Sequence, residues 1–384
     1  MISIKLATLG FLALAAARDC RPDSSYDIHS QDQLDELSND CTTINGDIRI
    51  LKDYTGSFIL NNVVNITSLR TEDSSGDKDP ESELTSIELP DLQYVNRLLN
   101  IQARHISRLS LPRLISVNES FHVVMRDEGE VHFPALSEAG DITVEGNMTR
   151  VHLDTLKTAA NLRFTSPSTT GLDSLNLELP PLSISLPALN QVSSLIVEGN
   201  ITEINAPKLT SITGPQNTTQ SDSLGLYSSE LSFTSTAAGA GAGAPISFPK
   251  ISHIEGNVRI GGNVASISFP ELQEITRDLT VEITSGNPLN LDLPIRSARI
   301  IVFSGPFESI QLPKLTNYND LGIWSTTGSF NCDAFEEHLE SGDVEGGKLQ
   351  CSASLGVSMQ GTGVGTGVTL GIALGVAWVV GGLF

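Results

Sequence analysis

Two histidines, His132 and His152, come closer to a reactive site by type and spacing than any other residues of this sequence. Both occupy the same position of a repeated phrase, so their side chains are predicted to lie one strand apart on an outward face. Two adjacent imidazoles can begin a metal site, but Ser110 and Ser185, which flank them in the repeat, offer no third ligand. The alternative is two ordinary polar residues on a solvated sheet surface. We predict no metal site.

The sequence contains no pattern that predicts a catalytic centre or a cofactor. It has no nucleophile elbow, no HExxH motif, no phosphate-binding loop and no Cys–His nucleophile pairing. A hydrolase or lyase on a β-solenoid would need carboxylates grouped with basic residues on neighbouring strands. Glu88 is instead predicted to lie two strands from His132, and Asp292 falls between Ser268 and Gln311 in the same column. We predict that the protein is not an enzyme.

A proline-anchored phrase recurs along most of the chain and determines its predicted architecture. Its pattern is apolar, any, apolar, Pro, any, apolar, two of any, apolar, as in Ile267 to Ile275. Most neighbouring anchors are 19–22 residues apart, a spacing typical of solenoid repeats. The anchors are Pro90, Pro112, Pro134, Pro187, Pro207, Pro249, Pro270, Pro294 and Pro313, with Asp154 in place of proline once.

The residues around each anchor predict a strand and then a turn. The third and first residues before the anchor are apolar and the one between them is polar, which is the alternation of a half-buried strand. Proline cannot donate to a strand ladder, so it should end the strand. No repeat has an apolar pattern of helical period. The fold class is therefore predicted to be all-β, a parallel β-solenoid of about ten coils of 19–24 residues with aliphatic inward columns.

Two further features of the repeats concern the turns. Gly-Asn pairs that end at Asn147, Asn200 and Asn263 are predicted to close the coils, because both residue types tolerate positive φ. The turn at Pro294 is predicted to be irregular, because Arg296 and Arg299 occupy its usually apolar positions.

Both ends of the chain carry processing signals. Residues 1–17 comprise Lys5, an apolar run and small residues, which predict a signal peptide. The last residues, 352–384, comprise small residues, a Gly/Thr/Ser spacer and an apolar tail, the order of a glycosylphosphatidylinositol (GPI) anchor signal. A C-terminal transmembrane helix is the alternative, although cationic flanks are missing. The predicted attachment residue is Ser354, or otherwise Ser352 or Gly356.

Four cysteines lie in two close pairs, Cys20 with Cys41 and Cys332 with Cys351. In a secreted chain this arrangement favours one local disulfide at each end of the repeats; metal ligation is the alternative, without a CxxC spacing to support it. The exposed ends of a solenoid also need caps. We predict an N-terminal cap over 18–60, with a helix opened by a capping box at Ser30, solenoid repeats over 61–330, and a helical C-terminal cap over 331–351.

Sequons and insertions complete the predicted organisation. Two segments are predicted to be loop insertions from their composition. The segment near 71–82 is acidic, and the segment near 214–245 is rich in Gly and Ala. Behind a signal peptide, several of the five sequons are expected to carry glycans. These sequons are at Asn65, Asn118, Asn147, Asn200 and Asn217.

The formal net charge is −22, from 45 acidic and 23 basic residues. An acidic surface without basic stripes argues against nucleic acid and anionic lipid headgroups as partners.

The two terminal signals, the Cys pairs, the segment Ile44 to Ile48 and repeats such as Leu312 to Leu315 together resemble the fungal extracellular-mutant (sporulation-specific-like) cell-wall proteins. Their solenoid is similar to the L domains of the insulin and EGF receptors. The resemblance implies a GPI-anchored glycoprotein at the outer face of the plasma membrane and in the cell wall, required for wall organisation. Family members often have a long Ser/Thr-rich stretch before the anchor, whereas this chain has only 351–367.

The predicted function is therefore that of a non-catalytic structural protein held outside the cell by lipid, with wall polysaccharide as a partner, bound either non-covalently or covalently through the anchor remnant. The alternative is an L-domain-like adhesin or receptor that binds a glycan or peptide on the polar sheet face.

Overall fold

The computed structural model describes residues 18–22, 25–72, 83–103, 106, 108–166, 181–214, 229–235, 243–340 and 344–353. The predicted signal peptide, Asn217, Ser354, Gly356 and the apolar tail lie outside these ranges. Neither of the two helices within them is long and apolar enough to cross a membrane.

The described chain is built almost entirely of short strands. Two helices occur, α1 (Gln31–Asp40) near the N-terminal end and α2 (Cys332–Glu340) near the C-terminal end. The strands are β1 (Asp19–Cys20), β2 (Ser25–Ile28), β3 (Thr43–Ile50), β4 (Thr55–Ile59), β5 (Asn65–Thr71), β6 (Glu83–Glu88), β7 (Tyr94–Ala103), β8 (Arg108–Ser110), β9 (Ser116–His132), β10 (Glu138–His152), β11 (Thr158–Thr165), β12 (Leu182–Ser185), β13 (Gln191–Gly199), β14 (Ile201–Asn205), β15 (Ser211–Ile212), β16 (Glu230–Ser235), β17 (Ala244–Ser247), β18 (His253–Ile254), β19 (Asn257–Gly262), β20 (Val264–Ser268), β21 (Glu274–Ile275), β22 (Asp278–Ile283), β23 (Leu289–Asp292), β24 (Ile300–Gly305), β25 (Phe307–Gln311), β26 (Asn317–Ser325) and β27 (Glu345–Ala353).

All strand pairs are parallel, and each strand pairs with the equivalent strand of the next coil, which confirms the predicted parallel β-solenoid. One face of the stack, the long face, runs from β2 and β3 through the first part of β9 and β10 to β26 and β27. The second face, the anchor face, carries the strands that precede each anchor, such as β8 and β12. The uninterrupted strands β9 and β10 cross from one face to the other, so 23 strands form one continuous sheet.

The predicted inward columns are buried without exception. The residues three before the anchors are at most 7% exposed and those one before are at most 2% exposed, whereas the residues between them are half-buried or exposed. The core is less aliphatic than predicted, since phenylalanines form part of it. Phe233, Phe248 and Phe269 stack along the solenoid with ring centroids 5.4 and 5.7 Å apart. The interior therefore follows the repeat, with aromatic rings packed among its aliphatic side chains.

Glycine rather than asparagine provides the unusual backbone at the coil-closing turns. Gly146, Gly199 and Gly262 have φ of 119°, 142° and 87°, whereas the asparagines that follow them do not have positive φ. At Gly146 a Cβ atom would lie 1.7 Å from the carbonyl oxygen of Met125 in the preceding coil. Close stacking of successive turns therefore requires a residue without a side chain here.

The turn at Pro294 is irregular, as predicted, but charged residues do not enter its core. Ile295 and Ala298 are 0% and 4% exposed and fill the inward positions, while Arg296 and Arg299 are exposed. The turn is one residue shorter than in the other coils. The core contacts of this turn are therefore regular, and only the spacing between Pro294 and the apolar pair is shorter by one residue.

The segments predicted as cap and insertion contribute strands to the stack. β3 and β4, within 18–60, already pair with β5 and β6 of the next coil. Within the predicted loop insertion 214–245, β16 pairs with β13 and β19, because Leu231 and Phe233 alternate inward and are fully buried. This part of the insertion is a regular rung of the solenoid and not a loop.

The two ends carry the predicted disulfides and helices. Cys20 is bonded to Cys41 and Cys332 to Cys351, with Cα–Cα distances of 5.7 and 5.8 Å. The capping box predicted at α1 is not formed: the Ser30 side chain makes no cap hydrogen bond, and Gln33 Oε1 accepts from the backbone N–H of His29, the residue before the cap, at 2.6 Å.

Candidate functional site

The outward column of the anchor face brings the two predicted histidines together. His132 and His152 are partners in the register of β9 and β10, and their ring centroids are 5.8 Å apart in an edge-to-face arrangement. This confirms the predicted spacing of one strand. Glu88 pairs with Ser110, which pairs with His132, so the carboxylate is two strands away as predicted.

Asp154, the residue that replaces proline as an anchor, lies beside both histidines. Its carboxylate oxygens are 4.0 Å from His132 Nε2 and 3.9 Å from His152 Nδ1, and Oδ1 accepts a hydrogen bond from Ser185 Oγ at 3.2 Å. The three side chains are 38–58% exposed, so these contacts are weak electrostatic pairs in water. Within the residues that the structure describes, no group of three His, Cys, Asp or Glu is arranged to hold a metal ion.

A groove of about 740 Å³ opens next to this cluster on the anchor face. Its walls include Arg108, Glu130 and His132 from neighbouring coils, with Thr149 at one side. The Arg150 Nη1 lies 3.3 Å from Glu130 Oε1, so charges of opposite sign alternate along the column beside the groove. The volume falls within the range of small-molecule sites, and the lining is about equally polar and apolar. The groove therefore offers both hydrogen-bonding groups and apolar surface to a ligand.

The long face carries ion pairs between neighbouring coils. Arg49 Nε donates to Asp27 Oδ1 at 2.9 Å, and this hydrogen bond lowers the pKa of Asp27 and raises that of Arg49. At the other end Arg299 Nε donates to Asp278 Oδ1 at 2.9 Å, which raises the pKa of Arg299. These pairs link successive rungs of a structural surface.

The modification residues predicted from sequence lie at different depths on the surface. Asn118 is exposed on β9, and Asn65 is half-buried on β5, with its side-chain oxygen Oδ1 enclosed and without a hydrogen-bond partner. Asn147 and Asn200 are half-buried and directly follow the positive-φ glycines of two equivalent turns. Of the predicted attachment residues, Ser352 is described and lies exposed in β27.

Sequence reasoning missed the groove and the position of Asp154. The groove depends on side chains from three stacked coils, which no single repeat reveals. The sequence did contain an indication of the role of Asp154. It is an acidic residue at an anchor position that is otherwise proline, which indicates a turn with a different surface.

Two fungal proteins align with most of the chain. Protein ecm33 of Aspergillus fumigatus is 26% identical over 365 residues, covering 89% of this chain and 83% of its own length. A cell surface GPI-anchored protein of Arthroderma benhamiae is 24% identical over 386 residues, covering 90% of this chain and 86% of its own length. No family model matches the chain, and no solved structure matches it. The resemblance inferred from the sequence is thus confirmed: the chain is a homologue of fungal Ecm33 and of a GPI-anchored cell-surface protein along most of its length.

Proposed function

We propose that the protein is a non-enzymatic, GPI-anchored glycoprotein of the fungal cell surface that contributes to organisation and integrity of the cell wall. The observation that carries this proposal is the homology to a GPI-anchored cell-surface protein over 90% of the chain. The signal patterns at both termini agree with it, as does the parallel stack. Fourteen rungs along the long face, about 4.8 Å apart, make a rod of roughly 60 Å. Such a rod is suited to spacing or connecting wall components.

Treatment with a GPI-specific phospholipase tests the anchor. The full-length protein should move from the membrane fraction to the soluble fraction, because the enzyme removes the lipid that holds it. A matched variant that ends after Gly367, without the apolar tail, should be secreted into the medium. Full-length protein that stays in the membrane after other GPI proteins have been released would instead identify the tail as a transmembrane helix.

A deletion strain tests the role in the wall. The strain is expected to be hypersensitive to wall-binding dyes, and the full-length gene should restore resistance while the tail-less variant should not. Release of the protein from purified walls by glucanase would distinguish covalent transfer to wall glucan from retention at the membrane.

The non-enzymatic part of the proposal has its own test. A variant with His132→Ala, His152→Ala and Asp154→Asn removes the most chemically capable cluster of the described chain. It should restore dye resistance as fully as the wild type, because exposed side chains contribute little to the fold. Failure of this variant at normal abundance would indicate that the cluster has a chemical role.

The groove supports a second candidate function, an adhesin or receptor that binds a glycan or peptide on the anchor face. A deglycosylated sample on glycan and peptide arrays should then give selective hits that are lost on changing Arg108→Ala and Glu130→Ala. The matched control is Ser247→Ala with Ser268→Ala, at exposed positions on the same face outside the groove. A purely structural rod should give no selective hit.

A further inference from the structure

Trp324 is one of two large aromatic side chains in the described part of the chain that are exposed to solvent. Phenylalanines such as Phe121 and Phe303 are fully buried, whereas Trp324 is 36% exposed. The other exposed large aromatic residue is Tyr94, which is 40% exposed near the opposite end of the long face. A tryptophan at a solvated position of a sheet has no role in the core.

The indole reaches back along its own strand. Its six-membered ring extends back over Gly322, two residues earlier on the same face of β26. A Cβ atom at Gly322 would lie 2.3 Å from Trp324 Cη2 and 2.6 Å from Cζ3, so no side chain fits beneath the ring. Gly322 is buried although its position faces outward. The register neighbours of Gly322, Val302 and Gln350, both have side chains, so of these three adjacent rungs only that of Gly322 provides space for the ring.

The residues that adjoin the ring in register are uncharged. The register neighbours of Trp324 are Ser304 on β24 and Ser352 on β27, and Gln350 lies next to Gly322. Ser352 and Gln350 are exposed, and Ser304 is half-buried. An apolar ring face therefore lies among hydroxyl and amide groups that can donate and accept hydrogen bonds.

We propose that Trp324 and these neighbours form a binding platform for a neutral hexopyranose chain. One face of a pyranose ring presents C–H groups, which the electron-rich face of an indole attracts, while the hydroxyls at the ring edge bond to side chains such as Ser and Gln. The platform adds a ligand class to the proposed function. It rests on that function only for the source of the ligand, which is a wall polysaccharide. A lipid surface fits less well, because an interfacial tryptophan inserts its ring, whereas this one reaches back along its own strand.

Tryptophan fluorescence tests the platform directly. The sequence has two tryptophans, so the full chain with Trp378→Phe reports on Trp324 alone. Pentasaccharides of glucose, N-acetylglucosamine and mannose are titrated separately, and at least one should change the emission in a saturable way. Trp324→Ala, followed by calorimetry, should weaken binding of that sugar about tenfold, the loss expected from removing one stacking contact.

The most discriminating variant is Gly322→Val, which retains the tryptophan. Its side chain would occupy the space under the ring and displace the indole, so binding should fall about as much as in Trp324→Ala. Valine already stands next in register at Val302, so the strand should tolerate it, which circular dichroism checks. Tyr94→Ala is the matched control and should bind normally, because nine rungs, roughly 43 Å, separate Tyr94 from Trp324.

Three results would overturn the platform. They are the absence of any saturable response to the three sugars, a response that survives Gly322→Val unchanged, and an emission change caused only by phosphatidylcholine vesicles or by increasing protein concentration. The last would identify a membrane contact or a second copy as the occupant. Failure of this inference leaves phospholipase release unaffected, so it is distinguishable from failure of the proposed function.

Discussion

Replacing Gln31 by alanine should loosen the first coil while leaving the rest of the solenoid intact. Among the described strands, β4 pairs only with β6, so its other edge would be open. The Gln31 side chain covers that edge as a strand would: Nε2 donates to the carbonyl oxygen of Ile59 at 2.7 Å, and Oε1 accepts from the Ile59 N–H at 3.0 Å. One amide side chain thus satisfies both backbone groups of an edge residue.

The expected cost follows from these bonds. Each hydrogen bond to a part-buried backbone group contributes about 1 kcal/mol, so losing both costs about 2 kcal/mol. The Tyr54 hydroxyl also donates to Gln31 Oε1, at 3.1 Å, but it keeps its 2.7 Å bond to the Ser57 carbonyl oxygen and adds little. A change of about 2 kcal/mol raises the population of the locally open state about 30-fold.

Hydrogen exchange is the appropriate assay, because coils of a solenoid open locally and a global melting temperature would dilute the effect. The amide of Ile59 should exchange about 30-fold faster in Gln31→Ala, whereas amides of β22 should be unchanged. Glu36→Ala, on the exposed side of α1, is the matched control and should exchange like the wild type. Unchanged protection of Ile59, or an equal loss of protection in β22, would refute the reasoning.

Three further changes have defined outcomes. Gly146→Ala combines positive φ with a clash against a neighbouring carbonyl oxygen and should cost about 3 kcal/mol of local stability, whereas Gly56→Ala, with positive φ but nothing within 4 Å, should cost about 1 kcal/mol, both measured as lost amide protection in the affected coil. Asp27 has a pKa lowered by its arginine partner, so its carboxylate stabilises the fold above its unfolded pKa of about 3.8 and loses this effect as the pH falls; amide protection in β2 and β3 should differ between Asp27→Asn and wild type at neutral pH and converge in acid. The double variant Cys332→Ser and Cys351→Ser opens a loop between residues 19 apart and should destabilise the last coil by about 3 kcal/mol, measured as lost amide protection in β27.

The inward columns were predictable because two independent signals coincide in them. Alternation marks the strand and an anchor marks its end, so Val131 and Phe133 could be placed in the core from sequence alone. The short turn after Pro294 shows the limit of fixed spacing. Ile295 and Ala298 carry the apolar pair with the usual separation of three, one residue early, and a fixed template aligned to the proline reads the exposed arginines instead.

Other features depend on contacts that a single repeat does not encode. β16 was hidden because its short alternation lies beside a Gly/Ala-rich segment that dominates the composition. The contacts of Asp154 and the amide pairing of Gln31 both join residues from different coils. The positions of such side chains depend on how the coils stack. The repeat in the sequence therefore predicts the scaffold but not most of the side-chain contacts on its surface.

The separation between the two candidate binding regions has a consequence for any polysaccharide partner. The groove at β9 and Trp324 on β26 lie on different faces, eight rungs or roughly 38 Å apart. Side chains this distant in a locally stabilised solenoid should act independently, so the effects of Arg108→Ala and Gly322→Val on binding of a pentasaccharide should be additive. A long wall polysaccharide that contacted both regions would gain from linkage, and either variant alone would then reduce its retention more than it reduces pentasaccharide binding. Equal reductions for short and long chains would show that the two regions do not share a ligand.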